Sequence, residues 1–217
     1  KTTLLSFGTD TSYFKPDSEQ KTNLRNDLGI AHDDFVVLYA GKLDDSKGGK
    51  LLAETLEKQI KLKEKKCVFI VVGNVTNDDY GKNVEEKLAN SENNILRFPT
   101  QNYLELVKFY QIADIALFPK QCSMSYYEAQ SCGLPVVVET NEINMDRVKN
   151  KRGIAYSQNN IEEFRNAIIT FGNMSEEELQ ICSNNARQNI IDNYDYVKIA
   201  RKFTDVMINA YNKFHHK

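Results

Sequence analysis

Short runs of apolar residues recur along this chain, separated by segments whose apolar positions return every three or four residues. Residues 34–40 (DFVVLYA), 67–72 (CVFIVV), 115–118 (IALF) and 136–138 (VVV) are near-continuous apolar runs. Such runs, without alternation, mark strands covered on both faces. Shorter strands are expected at 95–98 and 153–156, and a strand or linker at 2–7. The helical period predicts helices over 21–28, 50–65, 81–90 and 104–113. Another carries Glu128 and ends at Gly133-Leu134-Pro135, and three more close the chain at 161–172, 176–193 and 196–214. Ser175 and Glu178 have the spacing of a capping box. Strands alternating with helices imply βαβ units with right-handed crossovers. The expected fold is α/β: a Rossmann-like parallel β-sheet flanked by helices, with C-terminal helices. One domain would span 1–217, with a linker over 1–20 and the closing helices over 159–217. Ligands of such sheets bind beyond the carboxyl ends of the strands. The loops to watch therefore begin at Gly41, Gly73, Phe98 and Pro119.

Composition changes this picture little but excludes several classes. A chain of 217 residues with 41% hydrophobic and 27% charged residues can bury a substantial core. The net charge of −2 gives no electrostatic case for nucleic acid. No apolar run approaches the roughly 20 residues that span a bilayer. The first residue is Lys1, and strand-like sequence follows at once, as expected of a piece of a longer protein. Cys67, Cys122, Cys132 and Cys182 lack zinc-site spacing and read as reduced thiols, with Cys67 and Cys132 in the core. His32, His215 and His216 sit in a turn and at the tail, poor places for a catalytic base.

The candidate chemistry gathers after the strands. The loop Gly41-Lys42-Leu43-Asp44-Asp45-Ser46-Lys47-Gly48 holds two lysines that could converge on one pyrophosphate, or be solvated charges of a turn. It is not a Walker A loop, and GxGxxG is absent as well. Beyond Pro119, Ser123 and Ser125 precede the helix of Glu128. Either serine could cap that helix, donate to a phosphate beside its free N–H groups, or do both. Glu128, about one turn in, is placed to hydrogen-bond sugar hydroxyls or to face solvent. Of Tyr126 and Tyr127, one is expected in the core and the other at ligand. The segment Phe98-Pro99-Thr100 could line a flat base. The pairs Asp33-Asp34, Asp44-Asp45 and Asp78-Asp79 read as caps and turns rather than a cation site.

In order and spacing these pieces resemble the C-terminal, donor-binding domain of the family 4 glycosyltransferases, retaining enzymes of GT-B fold. Phe7-Gly8-Thr9-Asp10 through Pro16 is similar to N-G-V-D-x-x-x-F-x-P, and Gly41-Lys42-Leu43 with Lys47-Gly48 to G-R-L-x-x-x-K-G. Val71-Val72-Gly73 fits the next strand end. Arg97-Phe98, Tyr110 and Ala113-Asp114 through Pro119 fit V-x-F…Y…A-D-x-x-x-x-P. Glu128-Ala129 with Cys132-Gly133-Leu134-Pro135-Val136-Val137 fits E-A-x-x-x-G-x-P-V-V.

The resemblance implies that Gly41, Lys42 and Lys47 meet the donor diphosphate and that Glu128 meets the ribose. It places Ser123, Met124 and Ser125 at phosphate and sugar, and Phe98, Pro99 and Thr100 at the base. It implies a nucleotide-diphosphate sugar as donor (UDP-, GDP- or ADP-linked) and neither metal nor cofactor. A saccharide or lipid-linked acceptor would bind through an N-terminal domain outside this chain. No nucleic-acid partner is expected, and the expected location is cytoplasmic, with peripheral association at the inner membrane face left open. Two departures stand out. Lysine replaces the usual arginine at Lys42. Lys120 takes the place of the first glutamate of E-x7-E, and Gln121 to Ser125 replace a glycine-rich stretch. Lys120 could select an acidic sugar or point to solvent. The alternatives are a non-catalytic nucleotide-sugar-binding relative and a GT-B nucleotide-sugar epimerase.

Overall fold

Residues 5–120 and 122–215 are described by the computed structural model. Its sheet contains β1 (Phe35–Ala40), β2 (Cys67–Val72), β3 (Asn94–Phe98), β4 (Ile115–Phe118), β5 (Val136–Glu139) and β6 (Gly153–Tyr156). All pairings are parallel, in the order β3-β2-β1-β4-β5-β6. The strand order reverses between β1 and β4, which opens a crevice beyond their carboxyl ends.

Period-two alternation within each strand feeds two cores. Phe35, Val37, Tyr39, Phe69, Val71, Ile115, Leu117 and Val137 face one layer. That layer holds α2 (Gly49–Thr55), α3 (Asp79–Ala89) and α7 (Ile161–Gly172), which contribute Leu52, Val84 and Phe164. Val36, Leu38, Ile70, Ala116, Phe118 and Val138 face the other layer. There α4 (Leu106–Ile112), α5 (Ser125–Ser131) and α8 (Glu176–Asn193) supply Tyr110, Ala129 and Ile190, beside α1 (Ser18–Asp27). Burial on both faces explains why the strands read as unbroken apolar runs.

At the amino ends of the strands, Asp114 ties the layers together. Its carboxylate accepts from Val36 N (2.7 Å), Lys21 Nζ (2.8 Å) and Arg25 Nη2 (2.9 Å). Arg25 is 5% exposed and also donates to the carbonyl of Ile112. The Ala113-Asp114 pair is thus architectural and lies opposite the ligand-binding ends of the strands.

The expected fold class is borne out, and β2, β4, β6, α7 and α8 have the expected bounds. The capping box at Ser175 and Glu178 is formed. Two expectations need correction. The helix expected over 50–65 stops at Thr55. Beyond it, Arg165 donates to the carbonyls of Thr55 and Lys58 (both 2.9 Å), and Asn93 donates to Leu56 (2.8 Å) and Lys58 (3.1 Å). Tertiary donors thus take carbonyls that a longer helix would use. A short helix, α6 (Glu142–Arg147), was not expected; Asn141 caps it by accepting from Asn144 N at 2.8 Å. Of the segment 2–7, expected as a strand or linker, residues 5–7 form no strand, in keeping with a linker, and the rest lies outside the described residues, as do Gln121 and His216. The final helix, α9 (Tyr196–His215), leaves the sheet after Ile199, the last buried side chain of the described chain. Among the described residues no helix is long and apolar enough to cross a membrane.

Candidate functional site at the carboxyl ends of β1 and β4

The loops after β1 and β2 are zipped together. Gly41 N donates to Val72 O (2.9 Å) and Leu43 N to Asn74 O (3.0 Å). Gly73 has φ +140, and a Cβ there would lie 1.9 Å from Gly41 O, so no other residue fits. Tyr39, buried in the sheet, donates its hydroxyl to Lys42 O at 2.8 Å, which pins the start of the lysine loop. Asp44 then folds the loop back: it accepts from Ser46 Oγ (2.7 Å) and Lys47 N (3.0 Å). Burial opposes ionisation of Asp44. Those hydrogen bonds and the charges of Lys42 and Lys47 outweigh it and hold the carboxyl below the usual range.

The loop closes on β4 at Gly48. This residue has φ +77, and a Cβ would lie 2.8 Å from Pro119 Cβ and 3.0 Å from Lys120 Cγ. Lys120 reaches back across the crevice, and its Nζ donates to Asp45 Oδ1 at 2.9 Å. Its side chain is only 28% exposed, so the solvent-pointing reading of Lys120 is set aside. Lys42 is exposed and stands 3.9 Å from Asp44. Lys47 is half-buried and acts on the loop after β4. Burial pushes the Cys122 thiol there up to about 11, against the pull of Arg147 and Lys47.

The start of α5 differs from expectation. Met124, itself exposed, is the N-cap and supplies no side-chain bond. Ser123 and Ser125 bond to each other, 2.5 Å between hydroxyl oxygens, so neither caps the helix. Tyr126 N and Tyr127 N, in the first turn, donate to the carbonyls of Ser123 (3.2 Å) and Met124 (3.0 Å), which tightens the start of the helix. Glu128 sits one turn in and is 7% exposed, so the surface reading fails. Its Oε2 accepts from the buried Tyr110 hydroxyl at 3.2 Å. Burial pushes the Glu128 carboxyl above the usual glutamate range, partly countered by hydrogen bonds from Tyr110 and Tyr103. Burial and the Glu128 charge drive Tyr110 well above the usual tyrosine value, so it stays a donor.

The remaining candidates divide. Phe98 packs edge-on against Phe109, with ring centroids 4.9 Å apart. Its carbonyl accepts from Gly73 N at 2.9 Å. Pro99 and Thr100 are exposed, and Thr100 exchanges two hydrogen bonds with Asn74 at 3.1 and 3.2 Å. This segment therefore braces the turn after β2 beside the lysine loop. Tyr126 is buried under the Arg147 guanidinium, 4.4 Å from the ring centroid. Tyr127 is half-buried and packs at a tilt against Tyr194, centroids 4.9 Å apart, so Tyr126 is the core member of the pair. The paired aspartates act as expected: Asp78 caps α3 and Asp34 accepts from Ala31 N.

A cleft of about 520 Å³ opens at the opposite end of the sheet, between α1 and α8. Of the cations that line it, Lys21 and Arg25 are already committed to Asp114, and size alone does not make it the site. Sequence reading missed Tyr103 as a partner of Glu128 and Asp45 as a partner of Lys120. No local pattern signals either, since the contacts join residues far apart in the chain.

A family model described as glycosyl transferases group 1 matches residues 20–189. The chain belongs to this family. Among curated glycosyltransferases, the UDP-Gal:alpha-D-GlcNAc-diphosphoundecaprenol alpha-1,3-galactosyltransferase of Escherichia coli is 26% identical over 215 residues, 96% of this chain and 54% of that protein. The lipopolysaccharide 1,2-N-acetylglucosaminetransferase of Salmonella typhimurium is 24% identical over 88% of this chain and 52% of its own length. This group 1 chain thus spans about half the length of the curated relatives it matches. Among solved structures, Anabaena HepE in complex with UDP superposes with a TM-score of 0.82 at 22% identity, covering 96% of this chain and 57% of that one. The C-terminal domain of a glycosyl transferase group 1 family protein (LpcC) from Francisella tularensis gives 0.72 at 16% identity, covering 86% of this chain and 98% of that one. At such identities the likeness shows the fold.

Proposed function

We propose that this chain is the donor-binding half of a retaining GT-B glycosyltransferase. The whole protein would move a sugar from a nucleotide-diphosphate sugar to a saccharide or lipid-linked acceptor. The observation that carries this reading is the placement of cations and carboxylate. Lys42, Lys47 and Lys120 come from the loops after β1 and β4, on either side of the strand-order reversal, and Glu128 is buried one turn beyond. A diphosphate at the crevice would meet the lysines, which offset the charge that grows on it as the glycosidic bond breaks. Glu128, anchored by Tyr110, would accept from ribose hydroxyls. Pro99 and Thr100 would flank the base. The UDP of the HepE complex makes uridine the first nucleoside to try, and the undecaprenol-linked acceptor of the Escherichia coli relative supports a lipid-linked one. An acceptor domain would lie outside this chain, and contact with a membrane surface would arise through the acceptor.

Calorimetric titration of the 217-residue chain with UDP, GDP and ADP tests the reading. One nucleotide should bind, and Glu128→Ala and Lys47→Ala should each weaken it by at least about tenfold, the usual scale for losing a hydrogen bond to a charged group. Equal affinity in both variants, or no binding of any of the three, would overturn it.

A further inference from the structure

Cations and carboxylates are interleaved at the crevice. Lys42 stands by Asp44, and Lys120 is paired at 2.9 Å with Asp45. The stem of Lys120 runs close beside Gly48, where an added Cβ would come within 3.0 Å of Lys120 Cγ and 2.8 Å of Pro119 Cβ, and its side chain is 28% exposed. Asp45 is different: its side chain is 77% exposed, at the tip of the loop. The less exposed ammonium of Lys120, at the strand-order reversal, is therefore covered by an exposed carboxylate that can swing away at little cost.

We propose that Asp45 is an internal competitor for the donor, occupying on Lys120 the place that the donor's diphosphate takes. This rests on the donor-site reading above. A diphosphate carries more charge than one carboxylate and offers several acceptor oxygens to one ammonium, so it wins the exchange. Exposed ion pairs are weak, so the competition lowers donor affinity by only about 1.5- to 5-fold. Lys120 thereby becomes a third cation for the diphosphate, and Asp45 sets how readily the site empties and fills.

The test is a double-mutant cycle of Asp45→Asn and Lys120→Met, read by UDP calorimetry at low salt, with thermal scans confirming folded variants. Asp45→Asn should tighten UDP by about 1.5- to 5-fold, and Lys120→Met should weaken it by about tenfold. In the Lys120→Met background the gain from Asp45→Asn should disappear, because the two side chains act through one contact. In Lys120→Arg, which keeps the charge, the gain should survive. A gain that persists undiminished with Lys120→Met would mean simple repulsion between Asp45 and the nucleotide, and would overturn the inference. So would UDP binding that is indifferent to Asp45. If wild type and every variant fail to bind UDP, GDP and ADP, the donor-site reading falls first and the inference with it.

Discussion

Glu128 shows how a ligand contact is held at a cost to the fold. Burial raises its carboxyl above the ordinary glutamate value of 4.5, so the folded chain takes up a proton more readily than the unfolded chain. The stabilising share of that shift is fully present below 4.5 and is lost as pH rises through the folded value. At pH 7 the site therefore carries a charge the surrounding apolar packing resists. Glu128→Gln keeps an acceptor for the Tyr110 hydroxyl without the charge. It should melt at a higher temperature than wild type at pH 7, with the difference closing as pH falls toward 4.5, while UDP binding weakens. A lower melting temperature at pH 7 would show that the carboxylate is stabilised rather than merely tolerated. The residue types were legible at this scale: an E-A pair and two lysines at fixed offsets. Their partners were not, because Tyr110 and Asp45 are set by crossings of the fold rather than by neighbours in sequence.

At the scale of elements, strands covered on both faces announced themselves and short helices did not. The run CVFIVV gave β2 its bounds because every residue must be apolar there. Helix α6 has Ile143 and Met145 exposed, so it carries no apolar stripe to read, only the cap of Asn141. Helix α2 was overestimated because its 3.6-residue pattern continues after hydrogen bonds from Asn93 and Arg165 have ended the helix. The most demanding junction is Gly48, where the lysine loop meets β4. Gly48→Ala would force a left-handed backbone on an L residue and press its methyl into Pro119. It should cost at least about 1–2 kcal/mol in urea denaturation and weaken UDP binding by parting Lys120 from the loop. An unchanged midpoint would mean that β4 and the lysine loop are free to separate.

Across the whole molecule, burial falls off toward the C-terminal helix. Helices α7 and α8 bury Phe164, Ile168, Phe171, Ala186 and Ile190. Helix α9 leaves Val197, Phe203, Met207 and Ile208 exposed. Helices that bury little open locally at low free energy. Amide hydrogen exchange should therefore be faster over residues 202–215 than over the interior of α8, by about two orders of magnitude or more. Comparable protection would reveal a cover on α9 in solution.

Where α9 begins, Thr9 lies in a bridge with Asp195. Its N–H donates to Tyr194 O and its carbonyl accepts from Tyr196 N, both at 2.9 Å, while Thr11 Oγ1 donates to Asp195 at 2.6 Å. The incoming and outgoing stretches of chain are thus clasped to each other outside the sheet. Tension applied between residue 7 and residue 200 would load this clasp first. Force would have to break it before any strand or either face of the crevice carried strain, so a tug on the flanking segments leaves the binding surface undisturbed.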